Sequence, residues 1–179
     1  MQNPHGSMRQ ELVTWAEVDK IVDVLLPQIN TVGGFDGIMM ITRGGIIPGG
    51  LLAEALNMTY VLTAAVHFPD YVSEFSFDRE ERLTLPSFLQ FPDRSLVEDR
   101  KLLLVDDVWG SGRTSISIRG RLESYHAQVF TCVFHYNPHR SLFQESQPDF
   151  YGMITDAYII YPWEADRGLD GIEAPEAQF

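Results

Sequence analysis

The stretch Lys101 to Thr114 (KLLLVDDVWGSGRT) constrains the fold of this chain more than any other. Lys101 to Asp106 is short, apolar and bounded like a buried strand, Gly110 to Gly112 form a turn, and Thr114 to Tyr125 has the composition of a helix. The same grammar stands upstream. Gly37 to Thr42 (GIMMIT) reads as a strand, and Pro48 occupies the first turn of a helix that runs to about Asn57. Tyr60 to Val66, Gln128 to His135 and Tyr158 to Tyr161 read as further strands. Ahead of them, Thr14 and Glu17 form a capping box. Trp15, Val18, Ile21, Val22, Leu25, Leu26 and Ile29 then recur at helical spacing until Gly33 and Gly34. Strands alternating with helices imply an α/β fold: a parallel sheet flanked by helices, with ligands at the carboxyl ends of its strands.

At 179 residues the chain has the length of one domain, expected over 8–179, with 1–7 (MQNPHGS) an artificial leader before a start at Met8. No apolar run approaches the roughly 20 residues of a membrane span. A net charge of -12 argues against nucleic acid, whose phosphates must be neutralised by Lys and Arg. Lys20 and Lys101 are the only lysines; arginine, whose planar fork suits phosphates, supplies the other positive charges. The single cysteine, Cys132, reads as a small buried hydrophobe, and the lack of a disulfide fits a cytoplasmic protein. From His67 to Arg100 the periodicity breaks. A segment of that length reads as a lid or insert, part of it pairing as a hairpin.

Asp106 and Asp107 close the strand of the opening motif. The small residues after them let successive N–H groups curl into one concavity backed by a helix N-terminus, which suits a phosphomonoester. Vicinal carboxylates suit ribose hydroxyls or a hydrated Mg2+. A solvated strand end followed by an ordinary turn is the plainer alternative. The Walker lysine is missing, so this is not a nucleoside-triphosphate loop of that type.

These residues resemble the phosphoribosyl pyrophosphate motif of type I phosphoribosyltransferases. Thr42 to Leu52 (TRGGIIPGGLL) is similar to the pyrophosphate loop of bacterial xanthine-guanine phosphoribosyltransferases, and Tyr158 to Glu164 (YIIYPWE) to their base-binding segment. The resemblance implies Mg2+-dependent transfer of a phosphoribosyl group to a purine-like base, in a cytoplasmic homodimer. It makes Arg43, Asp106 and Asp107 the catalytic set, with Arg43, Gly44 and Gly45 on pyrophosphate. Asp106 and Asp107 would meet the ribose hydroxyls, and Asp107 the metal. Val108 would line the substrate site, Trp109 would line it too or stand as a lid-side aromatic, and Gly110, Ser111, Gly112, Arg113 and Thr114 would cradle the 5'-phosphate. Tyr158 would stack on the base beside the Ile159 backbone, in a small hood over 136–179. A flexible lid over 67–100 would exclude water, with Arg79 and Arg82 either closing onto pyrophosphate or solvated beside Glu80 and Glu81.

Two positions depart from the family pattern. Gly110 stands where 6-oxopurine enzymes carry an Asp that meets N7, and Asn137 where they carry a Lys that meets O6. Asn137 can donate or accept, so the base stays open, and His135, flanking Asn137 with His139, is either a satisfied structural group at a strand end or a replacement for the N7 partner. The departures also leave a second possibility, a non-catalytic regulator that binds phosphoribosyl pyrophosphate or a nucleotide. The acidic charge excludes neither, because one small anionic ligand can be held by loop amides, a helix end, Mg2+ and a few arginines.

Overall fold

The computed structural model describes residues 9–68 and 85–165. In chain order the elements are β1 (Gln10–Leu12), α1 (Trp15–Asn30), β2 (Gly37–Ile41), α2 (Ile46–Ala55), β3 (Val61–His67), β4 (Ser87–Gln90) and α3 (Arg94–Val97). They continue with β5 (Lys101–Trp109), α4 (Arg113–Glu123), β6 (Gln128–Tyr136), β7 (Phe150–Ile154), β8 (Tyr158–Ile160) and α5 (Pro162–Ala165). Six strands form the central sheet in the order β4-β3-β2-β5-β6-β7, and β1 pairs with β8 in a separate two-stranded sheet. Every pairing is parallel except β3 with β4, where His67 faces Ser87 and Ala65 faces Gln90.

The period-2 pattern of the central strands sorts the core onto two faces. Ile38 and Met40 of β2, with Leu103 and Val105 of β5, pack beneath Val18, Ile21, Leu25 and Ile29 of α1 and Leu52 of α2. Met39, Ile41, Leu102 and Leu104 pack on the other face beneath Ile118 and Leu122 of α4. Each fully buried aliphatic side chain contributes roughly 1.5–3 kcal/mol, so these alternating runs fix the sheet register strongly. The α1 N-terminus is closed as expected: Thr14 N–H donates to Glu17 Oε2 at 2.8 Å, and Glu17 N–H to Thr14 Oγ1 at 3.3 Å. Cys132 is buried in the core, where desolvation raises its thiol pKa.

Three differences from the sequence reading bear on the site. β5 does not end at Asp106 but runs to Trp109, because β6 is equally long and pairs Asp106 with Val133, Val108 with His135 and Trp109 with Tyr136. Residues 158–160 do not join the main sheet. β7, which the sequence reading missed, holds that edge beside β6, leaving β8 to pair with β1. Within 67–100, β4 returns as the expected hairpin partner of β3, and 91–100 carries α3. Residues 69–84, and with them Arg79 and Arg82, lie outside the described residues, as do 1–8 and 166–179. No helix among the described residues is long and apolar enough to cross a membrane.

Candidate active site at the carboxyl edge of the sheet

The loop after β2 lies directly on β5. A Cβ on Gly45 would fall 2.1 Å from the Val105 carbonyl oxygen, and one on Gly44 would fall 2.4 Å from Asp107 Oδ1 and 2.7 Å from Asp106 Oδ1. Only glycine permits that approach, so the pair Gly44-Gly45 places bare main chain against the two acids. Gly45 N–H donates to Ile41 O at 2.8 Å, turning the chain into α2, and the Thr42–Arg43 peptide bond is cis. The Arg43 side chain is exposed and makes no ion pair with any described residue.

The acids themselves are constrained by their own main chain. Asp106 Oδ1 accepts the Asp107 N–H at 3.0 Å, and Asp107 Oδ1 accepts the Val108 N–H at 2.6 Å. Burial, and then the neighbouring Asp107 carboxylate, raise the Asp106 pKa well above the usual carboxylate range. Asp107 is raised too, mainly by burial, with the Glu164 charge adding to it.

Beyond β5, Gly112 adopts φ 80° and caps α4 without any side-chain acceptor. Arg113 N–H donates to Ser111 Oγ at 3.4 Å, and the Thr114 and Ser115 N–H groups, which make no hydrogen bond to a described residue, are left for an anion. A Cβ at Gly112 would sit 2.7 Å from the Trp109 indole, which is thus the floor of the turn rather than a ring facing a lid. Trp109 is 2% exposed and donates from Nε1 to Ser141 Oγ at 3.3 Å. Gly110 faces open space, Ser111 is exposed with its carbonyl accepting Leu142 N–H at 3.1 Å, and Thr114 is half-buried at the start of α4. The Arg113 guanidinium lies 4.1 Å from the Phe68 ring centroid, which ties the cradle to the end of β3.

The far side of the site is built differently. Asn137 is buried, and its Oδ1 accepts the N–H groups of His139 at 3.1 Å and Arg140 at 3.3 Å, while Asn137 N–H donates to Trp109 O at 2.9 Å. The amide oxygen thus closes its own loop. Tyr158 is half-buried, with Asp107, Glu164 and Arg140 in electrostatic reach of its hydroxyl, and Ile159 is buried in register with Glu11 of β1. His135 does not face a base: it is 1% exposed and hydrogen bonded through Nδ1 to Tyr161 Oη at 2.7 Å. Burial lowers its pKa to about 4 against the opposing charge of Glu17, so it is neutral.

Residues 9–163 match the family model of the phosphoribosyl transferase domain. The chain belongs to that family. Among curated proteins it is 28% identical over 165 residues to a xanthine-guanine phosphoribosyltransferase of Chromohalobacter salexigens, covering 92% of this chain and 89% of that one. The fold matches a purine phosphoribosyltransferase from Pyrococcus horikoshii at a TM-score of 0.70, with 23% identity over 88% of this chain and 95% of the other. It also matches a Helicobacter pylori xanthine-guanine-hypoxanthine phosphoribosyltransferase at 0.72, with 15% identity over 89% and 96% of the two chains. As a phosphoribosyltransferase, the chain is an enzyme of the glycosyl-transfer class.

In this phosphoribosyltransferase the Gly44 main chain lies against Asp106 and Asp107, joining two motifs to which the sequence reading assigns separate roles, and Trp109 and His135 are internal supports. Tyr161, Glu164 and Arg140 were missed as parts of the site. The first two lie inside the YIIYPWE motif, but nothing in a linear pattern shows that Tyr161 reaches back to Asp107.

Proposed function

We propose that this enzyme transfers the 5-phosphoribosyl group of phosphoribosyl pyrophosphate to a purine base and releases pyrophosphate. The observation that carries this reading is the contact of the Gly44 main chain with both carboxylates, which brings the pyrophosphate loop and the ribose-side acids into one site. In the proposed pose Arg43 and the Gly44 and Gly45 amides face the leaving pyrophosphate. The Gly110–Thr114 turn and the first-turn amides of α4 hold the 5'-phosphate, and Tyr158 with the Ile159 backbone flank the base. Displacement at the anomeric carbon builds positive charge on the sugar and negative charge on the leaving group. Fixed donors aimed at that developing charge act without reorganising during the reaction.

The donor set fits Mg2+. Two carboxylates with raised pKa values supply hard oxygen ligands whose mutual repulsion a dication relieves. Asp107 is the residue assigned to hold it, and Mg2+ would supply charge neutralisation at the leaving group.

The test is pyrophosphate release from phosphoribosyl pyrophosphate with Mg2+, assayed against guanine, hypoxanthine, xanthine, adenine and pyrimidine bases. Release with a 6-oxopurine is the expected result. Binding of phosphoribosyl pyrophosphate without release for any base would replace this reading with the regulatory one. That second reading draws on Asn137, whose amide oxygen is committed to its own loop where the resembling enzymes carry a lysine.

A further inference from the structure

Tyr161 touches both halves of the site from beneath it. At 1% exposure its side chain is out of a ligand's reach, yet its hydroxyl donates to the Asp107 carbonyl at 3.0 Å. Having given its proton there, the oxygen must accept from His135 Nδ1 at 2.7 Å, which fixes the histidine as the tautomer protonated at that nitrogen. The Tyr161 main chain is tied as well, through its N–H to Glu164 Oε2 at 2.9 Å.

The target of this hydroxyl is an unusual point in the sheet. β5 pairs with β6 along its length from Lys101 to Trp109, and within that span Asp107 alone lacks a register partner. A tyrosine hydroxyl therefore holds a strand carbonyl at the place where the ladder is interrupted, and the same residue carries a site carboxylate. The ring has a separate job, since it stacks on Trp163 at 4.4 Å and 8°, and Trp163 in turn meets Trp15 of α1 at 5.8 Å. Packing and hydrogen bonding can thus be separated by mutation.

We propose that Tyr161, oriented by His135, is a positioning residue that fixes the Asp107 main chain and so ties the base-side segment Tyr158–Glu164 to the ribose-side carboxylates. This inference rests on the phosphoribosyl-transfer reading above. A carboxylate whose peptide is freed by a fraction of an ångström loses much of its value to a bound sugar phosphate, because positional precision carries large rate and affinity factors.

The experiment is calorimetric titration of phosphoribosyl pyrophosphate with Mg2+ into the wild type and three variants, with a melting curve for each. Tyr161→Phe keeps the ring stack and removes the hydroxyl; it is expected to weaken binding roughly tenfold while melting within a few degrees of the wild type. His135→Leu should weaken binding in the same direction, whereas His135→Asn, which keeps a donor near the position of Nδ1, should restore affinity to within about twofold. Wild-type affinity in Tyr161→Phe would overturn the proposal. So would a loss in all three variants that follows their melting temperatures with no recovery in His135→Asn, since that is the behaviour of a merely structural group. Failure of the wild type itself to bind the ligand would instead remove the underlying functional reading.

Discussion

The two sides of the carboxyl edge of the sheet are made of different material. The side proposed to take ribose and phosphate is mostly main chain set around the Asp106 and Asp107 carboxylates: Gly44 and Gly45 pressed onto β5, a glycine turn over Trp109, and the Thr114 and Ser115 amides at the start of α4. The base side is side chains that support one another: Asn137 closing its loop, His135 on Tyr161, Tyr161 on Trp163. A main-chain site tolerates no added atom but needs no particular neighbour. A side-chain site can be remodelled one residue at a time, which is how a fold keeps one phosphate-handling half while its other half changes ligand.

The largest effect should come from breaking the main-chain side. Gly44→Ala puts a Cβ into the Asp107 carboxylate and is expected to lower kcat/KM for phosphoribosyl pyrophosphate by about 100-fold or more, since ångström-scale misplacement costs on that order. Gly50→Ala, in α2 with open space around it, is the control and should keep wild-type kinetics. Equal kinetics in the two variants would erase the distinction between the sides.

What was legible in the sequence follows the same division. The alternating strands, the Thr14–Glu17 cap and the glycine-rich loops of the two motifs depend on local spacing and on glycine, and a linear pattern records both; that Gly44 lies against Asp106 and Asp107 is a contact between distant segments. The length of β5 was underestimated because Asp is disfavoured inside strands, and only the partner strand β6 shows that the ladder continues. β7 was missed because its short run, Phe150 to Ile154, follows a polar loop and contains Gly152. Trp109 was misread, and His135 could be read only as either a structural group or an N7 partner, because their burial is set by segments far away in sequence: Gly112 and Ser141 for the one, Tyr161 for the other.

A smaller effect tests whether the base side is held by side-chain chemistry. The His135 pKa is depressed from 6.5 to about 4 by burial, with Glu17 opposing and the Tyr161 hydroxyl as its partner. The unfolded chain binds this proton more readily, so the stabilisation is fully present above pH 6.5 and is lost as pH falls towards 4. Urea melts should show the wild type losing about 2–3 kcal/mol more than His135→Asn between pH 7 and pH 4.5. Parallel losses in the two proteins would mean that His135 is not the neutral support described.

The smallest effect sharpens the comparison at Asn137. Replacing it with alanine leaves the His139 N–H without its acceptor, whereas the Arg140 N–H keeps the main-chain carbonyl of residue 137 at 3.3 Å. The expected cost is about 1–2 kcal/mol of stability, read as a lowered melting temperature. If the loop also positions the base, KM for the base should rise while KM for phosphoribosyl pyrophosphate holds. A rise in both would place Asn137 with the main-chain side instead.

The pairing of β1 with β8 sets the order in which the site can be completed. Gln10 to Leu12 must wait for Tyr158 to Ile160, and nearly the whole described chain lies between them. The glycine loop after β2 and the acids of β5 both precede α4 in the chain, but Trp109 and Ser111 are held by Ser141 and Leu142, and Asp107 by Tyr161. During synthesis the β2–β5 core can therefore form early, while the carboxyl edge is completed only when the last strands arrive. Loop-closure entropy makes the same contact slow to form in refolding. The contacts that finish the carboxyl edge are thus the last to be made, and the site depends on the one pairing that spans nearly the whole described chain.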